Sequence, residues 1–159
     1  MPYDRSPDQD ECPLCAERAA RLAAYLEQVL PLAEADHETF LKGLQTHPPT
    51  SVLRIHPHAL KRQIERMIGI GELRDLVETG IPMEWFAEGP QWRKILLVGE
   101  TVNGRLLHVV CGYDSARPDA WYAITAYDPR QGKWWWFSQD GRRRVCFCPP
   151  PPDWDPDEA

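Results

Sequence analysis

The stretch from Arg54 to Ile68 sets one imidazole and two guanidiniums at helical spacing: His58, Arg62 and Arg66. A helix turns by about 100° per residue, so the three side chains fall within roughly 80° of arc and share one ridge. Leu60, Ile64, Met67 and Ile68 recur on the far side as an apolar stripe, the face expected to meet the core. Pro57 can start a helix at no cost in hydrogen bonds and holds His58 in the first turn. Imidazole titrates near neutrality and guanidiniums grip oxyanions through paired N–H donors, which gives the ridge the means for proton and phosphate chemistry. The plainer alternative is a solvated polar face.

A second constellation comes from the cysteines. Four of the five form close pairs, Cys12-x-x-Cys15 and Cys146-x-Cys148. The first spacing puts two thiolates on a tight turn, and two ligands flanking a bend in a strand can reach the same ion. Four thiolates would leave no open coordination position, so the expectation is a structural zinc site that ties the front of the chain to its last strand. The alternative is two unrelated pairs of reduced thiols; a disulfide is disfavoured in a chain read as cytoplasmic. Cys111, among Val109, Val110 and Gly112, reads as a small buried residue.

Positioning these groups requires the following elements. Residues 1–50 read as a helical extension: a helix from Ala16 to about Ala35, ended or bent at Pro31, then a shorter one from His37 to Leu44 capped by Asp36. Thr46-His47-Pro48-Pro49-Thr50 has the composition of a linker into a main domain, 51–148. After the His58 helix, Glu72–Glu78 reads as another helix. Strands follow at Trp92–Gly99, Arg105–Tyr113, Trp121–Asp128, Lys133–Ser138 and Arg143–Cys148, with Asn103-Gly104 turning the first hairpin. The fold class is α+β: helices on one face of an antiparallel sheet of four to five strands.

Strand alternation puts Ala123, Thr125 and Tyr127 on one face, a face with two hydroxyls. His108 shares its face with Leu106 and Val110 and reads as a core histidine. Trp134-Trp135-Trp136-Phe137 must straddle both faces of a strand, with at least one ring in the core. Residues 149–159, with four consecutive prolines and four carboxylates, read as a stiff acidic tail.

Composition narrows the classes. At 159 residues, with 43% hydrophobic and 26% charged residues, the chain is globular, and no apolar run approaches the length of a membrane span. The net charge of −6 is segregated. Residues 1–50 carry four basic and nine acidic groups, residues 51–148 fourteen and eleven, and the tail none and four. An acidic whole argues against a protein that coats nucleic acid, while the basic middle permits a local phosphate-binding cleft.

Several of these motifs carry a resemblance. His58-Ala59-x-x-Arg62-x-x-x-Arg66 followed by Gly69-Ile70, then Gly104-Arg105-Leu106-Leu107-His108-Val109-Val110 and Ile124-Thr125-Ala126-Tyr127-x-Pro129, resemble the bacterial family named domain of unknown function 4258 over residues 54–136. Two departures stand out: Gln63 occupies a position where Met is usual, and Met67 and Ile68 are extra residues before the Gly-Ile step. The resemblance implies a fold similar to the RelE and BrnT toxins, metal-independent ribonucleases commonly partnered by an antitoxin. On that reading His58 acts as base or acid, Arg62 and Arg66 hold the phosphate, and Thr125 and Tyr127 complete the site, so RNA is the expected substrate. The competing reading is a non-catalytic module of the same fold that binds a protein partner.

Overall fold

The computed structural model describes residues 11–130 and 136–149. In chain order the elements are α1 (Ala16–Gln45), β1 (Val52–Ile55), α2 (Pro57–Glu65), α3 (Ile70–Thr79), β2 (Ile81–Glu88), β3 (Trp92–Glu100), β4 (Leu106–Asp114) and β5 (Arg117–Tyr127). The five strands form one sheet in the order β1-β5-β4-β3-β2. β2 to β5 run antiparallel, and β1 joins the free edge of β5 in parallel, Val52 opposite Ala120 and Ile55 opposite Ala123. The α+β class follows, with a mixed sheet rather than a purely antiparallel one. β1 and β2 escaped the sequence reading: four residues are too few for a period, and Pro82 interrupts the second pattern.

α1 is one helix of 30 residues with Pro31 inside it, not two helices. The ring removes one backbone donor, but Ala33, His37, Phe40 and Gly43 beyond it are all buried, and their packing carries the helix through. Phe40 stacks on Trp121 with centroids 4.8 Å apart, and Trp121 stacks in turn on Tyr113 at 4.8 Å. This aromatic pile is the centre of a core that joins α1 and α3 to one face of the sheet. The second half of α1 thus belongs to the same core as the strands. At its end Gly43 is needed for close approach: a Cβ there would lie 2.7 Å from the Cβ of Ser51.

The opposite face of the sheet is covered by Met83, Leu96, Val98, Leu106, Tyr127 and Phe137, with Val110 and Trp136 at the margin. Phe137 and Trp136 come from the chain after β5. Of the strand expected at 133–138 only 136–138 is described, and there and over the strand expected at 143–148 the described residues show a single bridge between Phe137 and Arg144. Trp134, Trp135 and the tail from 150 on lie outside the described residues.

α2 turns the opposite way from its pattern. Ala59, Arg62 and Gln63 are buried, while Leu60, Ile64 (74% exposed) and Met67 (85% exposed) face outward; of the expected stripe only Ile68 is buried. Three contacts hold this orientation. Arg66 Nη1 donates to the Ala126 carbonyl at 2.6 Å, and Arg105 donates to the carbonyls of Arg66 (2.9 Å) and Met67 (3.1 Å). Those carbonyls are the unsatisfied acceptors of a helix end. Gln63 is 2% exposed, and neither side-chain polar atom finds a partner among the described residues. Burying an unpaired amide is costly, and Met has the same length and helix propensity. Gln63→Met is therefore expected to stabilise the protein by about 1–2 kcal/mol in urea denaturation; an unchanged midpoint would mean the amide is satisfied.

Candidate metal centre and buried polar cluster

The turn Cys12-Pro13-Leu14-Cys15 closes with the Cys15 N–H on the Cys12 carbonyl at 3.0 Å, and Cys15 is the N-cap of α1. The thiols of Cys146 and Cys148 arrive from the last described segment, and the four sulfurs lie within 4.8 Å of one another. Cys12 Sγ is 3.9 Å and Cys15 Sγ 3.7 Å from Cys148 Sγ. With Zn–S bonds of about 2.3 Å, the edge of a tetrahedron is about 3.8 Å. The spacing therefore suits one tetrahedral ion, and four sulfurs leave no coordination position for substrate or water.

The surroundings favour thiolates. Phe147 N–H donates to Cys15 Sγ (3.2 Å), Cys148 N–H to Cys146 Sγ (3.4 Å), and the positive end of α1 faces the cluster. Burial pushes the Cys12 thiol up, but the Leu14 N–H and the neighbouring thiols outweigh it, leaving Cys12 below its ordinary value. Burial raises Cys146 and Cys148, as expected for several sulfurs that cannot all hold charge without a cation. Cys111 stands apart, fully buried on β4 and pushed up to about 12 by burial.

The ridge residues are dispersed. His58 is exposed, and its imidazole has no hydrogen-bond partner among the described residues. Arg62 is buried and paired with Glu65 at 2.9 Å. Arg66 is half-buried, and its charge acts on Tyr127. A bulge in the β4–β5 ladder pairs Val110 with Thr125 but Cys111 with Ala123. It leaves Thr125 on the face of Tyr127 and sends Ala123 to the other, so the expected three-residue face holds only in part. At the α2–β5 seam Arg66 donates to the carbonyl of Ala126, the residue between Thr125 and Tyr127 on β5. His58 sits about 12 Å up the helix axis from Arg66 at 1.5 Å per residue.

The residue beside Tyr127 is His108, its cross-strand partner. Tyr127 OH lies 3.4 Å from His108 Nδ1, and His108 Nε2 is 2.5 Å from the carbonyl of Gly141. Phe137 packs edge-on against the imidazole at 4.6 Å. Further along, Glu84 is 1% exposed and takes Arg144 Nε at 2.7 Å and Nη2 at 3.3 Å. A bulge after Pro82 turns Glu84 to this face together with Met83. The imidazole had a signal in strand alternation, which placed it in the core. The Glu84–Arg144 pair, sixty residues apart, had none.

Burial lowers His108 to about 4. Its folded value thus lies below its unfolded value of about 6.5, so its contribution to stability is present above pH 6.5 and is lost as pH falls towards 4. The expected loss is about 3 kcal/mol. His37 is also lowered by burial and adds in the same direction. Denaturation from pH 7 to 4 should show a flatter slope for His108→Gln; equal slopes would assign the acid loss elsewhere.

No helix among the described residues is long and apolar enough to cross a membrane. No curated protein and no solved structure matches the chain. Residues 55–128, from the end of β1 through β5, match the model of the family described as domain of unknown function DUF4258.

Proposed function

We propose that this protein is a non-catalytic protein-binding module, stapled by a structural zinc ion at Cys12, Cys15, Cys146 and Cys148 and docking its partner on α2. The observation that carries this reading is the outward apolar ridge of Leu60, Ile64 and Met67 on a helix whose charged residues Arg62 and Arg66 are turned inward. A soluble surface gains nothing from such a ridge unless something covers it. Its surroundings name the complement. The exposed cations around it are Arg54 and Lys61, against the single carboxylate Glu65 between residues 54 and 66, so the occupant is an apolar helix ridge with acidic flanks.

A labelled model helix of about 20 residues, with a leucine ridge and glutamate flanks, tests this. Binding to the intact protein is expected, with at least a tenfold loss on Ile64→Asp, a substitution at an exposed position that leaves stability within about 0.5 kcal/mol. Equal binding of a lysine-flanked helix, or no effect of Ile64→Asp, would overturn the docking site.

A second reading, ribonuclease activity of toxin type with an antitoxin as partner, is favoured by one observation: Arg66 donates to the carbonyl of Ala126, between Thr125 and Tyr127, and its charge acts on Tyr127. His58 stands exposed in the first turn of α2, while Tyr127 is turned towards His108 under cover. Intact zinc-loaded protein incubated with RNA without divalent cations should then yield cyclic-phosphate ends that disappear with His58→Ala; uncleaved RNA from both proteins removes this reading.

A further inference from the structure

The segment 136–148 crosses the sheet face opposite α1 and α3, and its own structure amounts to one bridge and a few turns. What lies beneath it is unusual for a permanently covered face. Glu84 on β2, His108 on β4 and Tyr127 on β5 are all buried ionisable groups, and the segment supplies partners to each: Arg144 for Glu84, the Gly141 carbonyl for His108, and Phe137 against both His108 and Tyr127. Gly141 adopts φ +70°, and a Cβ there would come within 2.7 Å of Leu106 Cδ2, so the backbone is pressed onto the sheet where no side chain fits.

The attachment beyond Arg144 is the thiol cluster. Val145 and Cys146 are buried against Cys12 and Cys15, and Trp136 Nε1 donates to the Cys148 carbonyl at 2.8 Å, closing the segment into a loop whose neck is the metal site. The core on the far face of the sheet includes none of these residues. The two sides of the sheet are thus held by different means, one by a large apolar core and the other by a smaller apolar cluster, an ion pair and four sulfurs. Cooperative units of unequal stability open independently when the weaker one loses its main tie.

We propose that Glu84, His108 and Tyr127 form a concealed polar site, closed by residues 136–148 acting as a strap that metal at the four cysteines holds shut. The proposal rests on the zinc assignment above but on neither reading of function. Metal loss frees the neck, the strap lifts with Arg144 and Gly141, and the imidazole–phenol pair of His108 and Tyr127 opens to solvent beside Arg66. An imidazole and a phenol within reach of a guanidinium can exchange protons with an anionic ligand, which the closed state cannot admit.

The test uses the full chain, zinc-loaded and then stripped with EDTA. Two readouts are needed: amide hydrogen exchange across the chain, and carbethoxylation of His108 by diethyl pyrocarbonate, with His108→Gln marking the modified site. Stripping is expected to speed exchange in 136–148 and to raise His108 reactivity at least tenfold, while Leu97, Val109 and Trp121 stay protected. Cys148→Ser in zinc buffer should reproduce the stripped state. An unreactive His108 after stripping would overturn the strap, as would simultaneous loss of protection at Leu97, Val109 and Trp121, or a chain that binds no zinc. None of these outcomes depends on binding of the model helix or on RNA cleavage.

Discussion

Cys12→Ser is expected to lower zinc affinity by at least about 100-fold, since loss of a group that merely orients a ligand already costs 10- to 100-fold. Purified wild type should hold one zinc per chain with all-sulfur coordination, and competition with a chromogenic chelator would give both stoichiometry and affinity. The physical reason is geometric. Sulfurs 3.7 and 3.9 Å apart already stand at the edges of a tetrahedral thiolate site, so the protein spends little on reorganising to bind. Serine keeps the volume of the side chain but removes the soft ligand. It also leaves three thiols in a site where burial disfavours charge at Cys146 and Cys148. Full occupancy in the serine variant, or none in the wild type, would disprove the staple.

Arg144→Met should destabilise the protein by about 3 kcal/mol, because it strands Glu84 without its counter-ion. The carboxylate is 1% exposed and receives two donors from one guanidinium, a geometry that a lysine does not reproduce. The same guanidinium lies over the rings of Phe137 at 4.8 Å and Phe147 at 5.5 Å, so its loss also weakens the packing of the strap. Removing both charges together is a different matter. A buried ion pair offsets its own desolvation and little more, so Glu84→Leu with Arg144→Met should recover most of the loss. Urea denaturation of the two single variants and the double closes the cycle; a double variant as unstable as the sum of the singles would mean the residues do not act as a pair.

Several features were legible in the residues themselves. The paired cysteines announced a shared site by type and spacing. The Asn103-Gly104 turn, the run from Trp92 to Gly99 and the α3 stripe of Leu73, Leu76 and Val77 each follow a local period, so each came out in place. His108 read as a core residue from its strand neighbours alone. Local pattern suffices where a segment's partner is its own neighbour or a generic core.

The tertiary structure decided what depends on which partner a segment meets. The period of α2 grouped Leu60, Ile64 and Met67 on one face but could not say that this face turns outward. That was set by Ala126, whose carbonyl takes Arg66, and by Arg105, which binds the helix end from the turn just before β4, some forty residues away. The bulge between Ala123 and Thr125 redistributed one strand's side chains between two faces, and alternation cannot register an extra residue. The Glu84–Arg144 pair and the strap over His108 join distant segments with no period in common. Sequence determined which groups were available, namely four thiols, an amphipathic helix and a buried imidazole. Long-range packing determined which of them face water, because burial belongs to the assembled layers and not to any one segment.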